Sequence, residues 1–193
     1  MSRHAIPAII YLSFIFLGCN KPDGKKEDPP PPGEGTYFSI RQFAKDQYEL
    51  FKGQPFTFDR FETINGKRDS TLVNTFQVDW AEILKIFFAT DISDPEYLGK
   101  YDFSLIDDDA TISRIYYYEA NDPALFTRKL QIITDPENNK IKSIYIETRD
   151  EKGVGERAQK LYYAPKKVIQ IQEFESKLAG PDRNYMLEYR FLY

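Results

Sequence analysis

From Gly99 to the C-terminus, clusters of turn-forming residues break the chain into short segments rich in β-branched and aromatic side chains. The breaks fall at Asp107-Asp108-Asp109, Asn121-Asp122-Pro123, Asp135-Pro136-Glu137-Asn138-Asn139, Gly153/Gly155, Pro165 and Gly180-Pro181. They separate seven strand candidates, near Tyr101–Leu105, Ile112–Glu119, Leu125–Thr134, Ile141–Thr148, Arg157–Tyr163, Lys167–Glu175 and Asn184–Leu192. The connections between them are short, which favours an antiparallel meander. Alternation supports this. Phe126, Leu130 and Ile132 share a parity, as do Ile144 and Ile146, and as do Tyr185, Leu187, Tyr189 and Phe191.

Two helices precede the strands. Ser39-Ile40-Arg41-Gln42 reads as a capping box, with Phe38 and Phe43 placed for a hydrophobic staple. Ile40, Phe43, Ala44, Leu50 and Phe51 follow at helical spacing until Gly53 and Pro55 stop the run. The second helix repeats the pattern, with Asp79 as cap, Glu82 at the third position and Val78 with Ile83 as staple. Trp80, Ile83, Leu84, Phe87 and Phe88 form its apolar face, so Trp80 reads as core. Ser93-Asp94-Pro95 opens a further short turn that Gly99 closes. Between the helices, Asn65-Gly66 is a two-residue hairpin signal that joins 56–64 to 67–75. That pairing sets Glu62 opposite Asp69, two like charges, which leaves the hairpin open to question. The expected architecture is α+β. Helices pack on one face of a long, twisted antiparallel sheet that has the means to curl into a half-barrel.

The N-terminus is of a different kind. Arg3 makes a short basic start, and Ala5–Leu17 is apolar but falls short of the ~20 residues a spanning helix needs. The run closes on Phe16-Leu17-Gly18-Cys19. This resembles the signal of a bacterial lipoprotein, although Phe16 and Leu17 stand where that family prefers Leu and a small residue. The resemblance implies cleavage before Cys19, a diacylglycerol on its sulfur and a fatty acyl group, typically palmitate, on its new amino group. An uncleaved anchor and ordinary signal-peptidase cleavage are the alternatives. Residues 20–35 follow without an aliphatic or aromatic side chain, and Pro29–Pro32 favours extended polyproline II. They read as a tether. Lys25-Lys26-Glu27-Asp28 faintly resembles the tags that send some Bacteroidetes-type lipoproteins to the cell surface, but a plain solvated linker with mixed charge is the favoured reading. The expected organisation is a signal peptide at 1–18, a lipidated Cys and tether at 19–35, and one domain at 36–193.

Rare residues limit the chemistry. The one His and the one Cys are His4 and Cys19. A chain processed at Cys19 therefore has no histidine and no free thiol, which removes Ser-His-Asp and Cys-His catalysis and His/Cys zinc sites. Net charge is −4, and no basic stripe is present, which argues against nucleic acid. Asp107-Asp108-Asp109 lacks the spacing of a Ca²⁺ loop and reads as a solvated turn. No metal or cofactor is expected. Paired carboxylates for glycoside hydrolysis remain open, because that chemistry needs no histidine.

The 14 tyrosines are the other candidates. In a strand, Tyr116 and Tyr118 face one side and Tyr117 the other. Tyr145 is opposite in parity to Ile144 and Ile146, which places it away from the helices, with Tyr163 as its companion. An exposed surface of Tyr116, Tyr118, Tyr145 and Tyr163 would bind sugars, peptides or acyl chains, since tyrosine offers apolar area with a polar tip. The competing reading is a sheet with both faces partly covered.

The leading expectation is a non-enzymatic, lipid-anchored lipoprotein of the outer membrane. Its domain would bind an envelope protein or a small apolar or sugar ligand. The rivals are a polysaccharide hydrolase of the envelope and a structural subunit of a membrane assembly. In pattern the chain resembles small envelope lipoproteins of Bacteroidetes-type bacteria. More loosely, it is similar to the half-barrels in which lipoprotein carriers cradle acyl chains under helices.

Overall fold

The computed structural model describes residues 36–151 and 155–192. The signal, Cys19 and the tether therefore lie outside the described residues. Two α-helices, α1 (Ile40–Phe51) and α2 (Trp80–Phe88), lie against one face of a nine-stranded antiparallel sheet. The strands are β1 (Thr57–Ile64), β2 (Lys67–Asn74), β3 (Tyr101–Asp108), β4 (Ser113–Ala120), β5 (Thr127–Thr134), β6 (Ile141–Asp150), β7 (Gly155–Ala164), β8 (Val168–Lys177) and β9 (Arg183–Leu192). Their order across the sheet is β2-β1-β9-β8-β7-β6-β5-β4-β3. The seven strands after Gly99 thus form an unbroken meander. The sheet does not close into a barrel, because β2 and β3 remain as its two edges.

The helix starts follow from their side chains. Ser39 Oγ accepts from the Gln42 N–H at 3.1 Å, and Asp79 Oδ1 accepts from the Glu82 N–H at 3.1 Å. The first cap is only half a capping box. The Gln42 amide donates to Asp46 Oδ1 at 2.8 Å, one turn along the helix, in place of reaching back to Ser39. The Phe38–Phe43 staple is present, with ring centroids 6.2 Å apart.

The Asn65-Gly66 hairpin also forms. Both residues have positive φ (49° and 82°), as a type I′ turn requires. Glu62 and Asp69 do stand opposite one another. Their carboxylates are drawn apart, Glu62 to Arg60 at 3.0 Å and Asp69 to the Ser70 N–H at 2.9 Å, so the like charges do not meet. On its other side β1 pairs with β9 over its full length.

The core fills the space between helices and sheet. Ile40, Phe43, Phe51, Ile83 and Phe87 come from the helical layer, and Phe58, Leu130, Ile132, Ile144, Ile146, Leu161, Ile169 and Ile171 from the strands. Aromatic rings tie the far end together. Phe58 has Phe191 at 4.6 Å, Tyr189 at 6.0 Å and Trp80 at 6.1 Å, mostly edge-to-face. Trp80 is part of this core, and its indole N–H is satisfied by the Thr75 carbonyl at 3.0 Å.

Candidate functional site

Register decides which tyrosines can meet a ligand. Cross-strand pairing joins Tyr116 to Ile132, Ile132 to Ile144, and Ile144 to Tyr163. That row faces the helices. Tyr118, one parity step away, pairs with Leu130 on the same face. The expectation of one exposed surface is therefore corrected. Tyr116, Tyr118 and Tyr163 are core residues, 5%, 1% and 5% exposed. The Phe43 ring meets Tyr163 edge-on at 5.3 Å, and the Tyr163 hydroxyl donates to Gln47 Oε1 at 3.1 Å. Burial pushes the Tyr118 hydroxyl up to about 12 and raises Tyr163 further still. Beneath the helices the space is full. The hole between Phe43, Phe51, Trp80, Ile83 and Tyr163 measures about 20 Å³, near the volume of one water and far from that of an acyl chain.

Tyr145 lies on the other face, as its parity implies. One row crosses all nine strands there, in the order Ser104, Tyr117, Gln131, Tyr145, Tyr162, Gln170, Glu188, Phe61 and Ser70. Rings and amides share this row, and all but Glu188 and the two terminal serines are half-buried. The next row carries alternating charge, with Glu119, Lys129, Glu147 and Lys160 on successive strands. The two rows are bonded together. Tyr145 donates to Glu147 at 2.6 Å and Tyr117 to Glu119 at 3.2 Å. Burial first, and then the Glu147 carboxylate, raises the Tyr145 pKa.

At the β1 end of the aromatic row, the Arg68 guanidinium lies 4.1 Å and that of Arg190 5.0 Å from the Phe61 ring. Glu188 is buried beside them. Its Oε1 is charge-paired to Arg190 Nε at 2.6 Å, although the N–H is not aimed along a hydrogen bond.

Ala158 makes the relief of this face. Its methyl group sits in a row between Arg149 and Phe174, so the surface sinks on both sides. One trough of about 310 Å³ is lined by Thr63, Ala158, Lys160, Gln172, Phe174 and Met186. A second of about 300 Å³ is lined by Glu119, Lys129, Glu147, Arg149, Glu156 and Lys160. They share Ala158 and Lys160, which makes Lys160 their common wall. Such a surface offers rings, amides and both signs of charge at fixed spacing, the means to hold a ligand by contact.

None of these trough residues was singled out from the sequence. A parity argument places Lys160 and Ala158 on one face of β7, but only the register across β6, β7 and β8 shows which side chains neighbour them. On the helix side of the same strands, beyond the helices, a polar layer completes the sheet. There Glu173 takes Arg157 and, at 3.0 Å, the Gln159 amide, while Thr148 lies 3.3 Å from Gln159 Oε1. Among the described residues no group of three His, Cys, Asp or Glu stands close enough to hold a metal ion, and no helix is long and apolar enough to cross a membrane. Compared with protein-family models, curated proteins and solved structures, the chain gives no match.

Proposed function

We propose that this protein is a non-enzymatic lipoprotein of the cell envelope, held on the outer membrane through Cys19. Its domain binds a ligand or partner protein on the helix-free face of the sheet. The observation that carries the reading is the pair of troughs meeting at Ala158 and Lys160, beside a row of half-buried rings and amides. Helices cover the opposite face with a packed core, so binding chemistry has room on this one.

The anchor part of the reading rests on the Phe16-Leu17-Gly18-Cys19 segment. Two or three acyl chains, at ~0.8 kcal/mol per buried CH₂, hold a protein on a bilayer far longer than a single chain. Each part has its own test. A palmitate analogue should label the wild type and not Cys19→Ala, and equal labelling of both would end the lipoprotein reading. Native mass spectrometry of gently extracted protein should show a bound molecule or a stoichiometric partner. Ala158→Trp fills the shared floor of the troughs and should abolish that adduct. An adduct that survives both Ala158→Trp and Lys160→Glu would rule out this face as the binding surface.

A further inference from the structure

Each edge of the sheet is a strand whose outer backbone N–H and C=O groups meet no further strand among the described residues, although Asp69 holds the Ser70 N–H and the Tyr101 carbonyl accepts from the Tyr37 hydroxyl. The two edges differ in charge. β3 carries Asp102, Asp107 and Asp108, and between them the apolar Leu105 and Ile106 are each about half exposed. β2 begins with Lys67 and Arg68, and every residue of it except Val73 is exposed. From this we infer that β3 of one molecule pairs with β2 of a second copy, extending the sheet from chain to chain.

Geometry limits how this is done. To place the second copy's β2 antiparallel against β3, that copy must be turned over about an in-plane axis perpendicular to the strands. Its helices then lie on the other side of the joint sheet, and odd-numbered residues of β3 share a side with even-numbered residues of β2. The register in which both eight-residue strands overlap fully satisfies that condition. It sets Asp108 opposite Lys67 and Asp107 opposite Arg68, with Phe103 opposite Leu72. Ile106 faces Asp69, and no like charges stand opposite one another. Direct cross-strand ion pairs and apolar pairs each favour such a ladder. Pairing like edges lacks this complementarity. Two overlapping antiparallel β3 strands bring Asp102 of each towards Asp107 and Asp108 of the other, and two β2 strands set Lys67 and Arg68 against Asn74 and Val73, which offer no opposite charge. Asp107 retains a carboxylate oxygen beyond the one at 2.8 Å from Arg114, and its side chain is 59% exposed. The contact is heterologous, so it builds open chains and not closed dimers.

Sedimentation velocity of the full chain over a concentration series tests the pairing. The wild type should form a ladder of oligomers that weakens with added salt. Asp107→Lys and Arg68→Glu should each weaken association at least tenfold, and an equimolar mixture of the two should restore it, because each mixed contact again joins opposite charges. Both substitutions leave Asp108, which caps the following turn, untouched. Recovery on mixing would also show that both variants are folded. A monomer at every concentration would overturn the inference. So would association that neither variant alters, or a closed dimer that persists in Arg68→Glu.

Discussion

The turn between β3 and β4 holds a β-branched residue where such residues rarely sit. Ile112 has φ of 47°, in the left-handed region, and its side chain is 64% exposed. An L-residue pays roughly 1–2 kcal/mol for that conformation, and branching at Cβ raises the cost. Exposure means that little burial is returned. The strain is sustained from outside, because the Lys142 ammonium donates to the Ile112 carbonyl at 2.6 Å, the Thr111 carbonyl at 3.3 Å and Ser113 Oγ at 2.9 Å. Ile112→Asn keeps the backbone and substitutes a side chain that tolerates the left-handed region. We expect it to stabilise the domain by about 1 kcal/mol, equivalent to roughly 2–4 °C in Tm for a domain of this size. Ile112→Val, equally branched, should give no gain. Urea and thermal unfolding measure both.

The clamp adds a second arm. Lys142→Met should cost about 1 kcal/mol in the wild type and less in the Ile112→Asn background, where the turn no longer needs holding. Loss of stability in Ile112→Asn, or an equal gain in Ile112→Val, would refute the strain argument. Additive effects of the Lys142 and Ile112 changes would refute the clamp.

Phe58→Ala should cost about 3–5 kcal/mol with an unchanged urea m-value, since the ring is fully buried among Trp80, Tyr189 and Phe191. Gly155→Ala should be poorly tolerated, because a Cβ there would run into the Ser176 carbonyl oxygen, and a urea midpoint like that of the wild type would contradict the β7–β8 packing. Burial raises the Tyr118 pKa from an ordinary 10 to about 12, so the folded state holds its proton more tightly than the unfolded one. That contribution is whole below pH 10 and is lost as pH rises towards 12, so alkaline unfolding should begin in this window and move higher in Tyr118→Phe, followed by circular dichroism. Ser39→Ala removes the acceptor for the Gln42 N–H and should cost about 1 kcal/mol in urea unfolding.

Local chemistry explains why so much of the fold could be read in advance. Strand ends follow from Asp, Asn, Gly and Pro at the turns, helix starts from Ser39 and Asp79, and the hairpin from Asn65-Gly66. Parity placed Tyr145 away from the helices correctly. Parity failed for the other tyrosines because it ranks residues within a strand and says nothing about which side the helices take. Tyr163 shows the gap. Its side is set by pairing with Ile144 on the neighbouring strand, and register across strands has no linear signature. The same is true of the troughs. Ala158 is unremarkable in sequence and becomes a depression only between Arg149 and Phe174. The position of β1 against β9 was equally hidden, because each strand has local neighbours that would have served.

That last pairing has a consequence for how the protein is made. The Asn184 N–H reaches Asn65 Oδ1 across 119 residues of chain, and the whole N-terminal hairpin is attached to the sheet through the final strand. Loop closure over that span is entropically expensive, and it has nothing to act on until β9 has left the ribosome. The first hairpin must wait, unfinished, while the meander assembles. Until β9 is in place the sheet stops at β8, and the hairpin has no edge of its own to join.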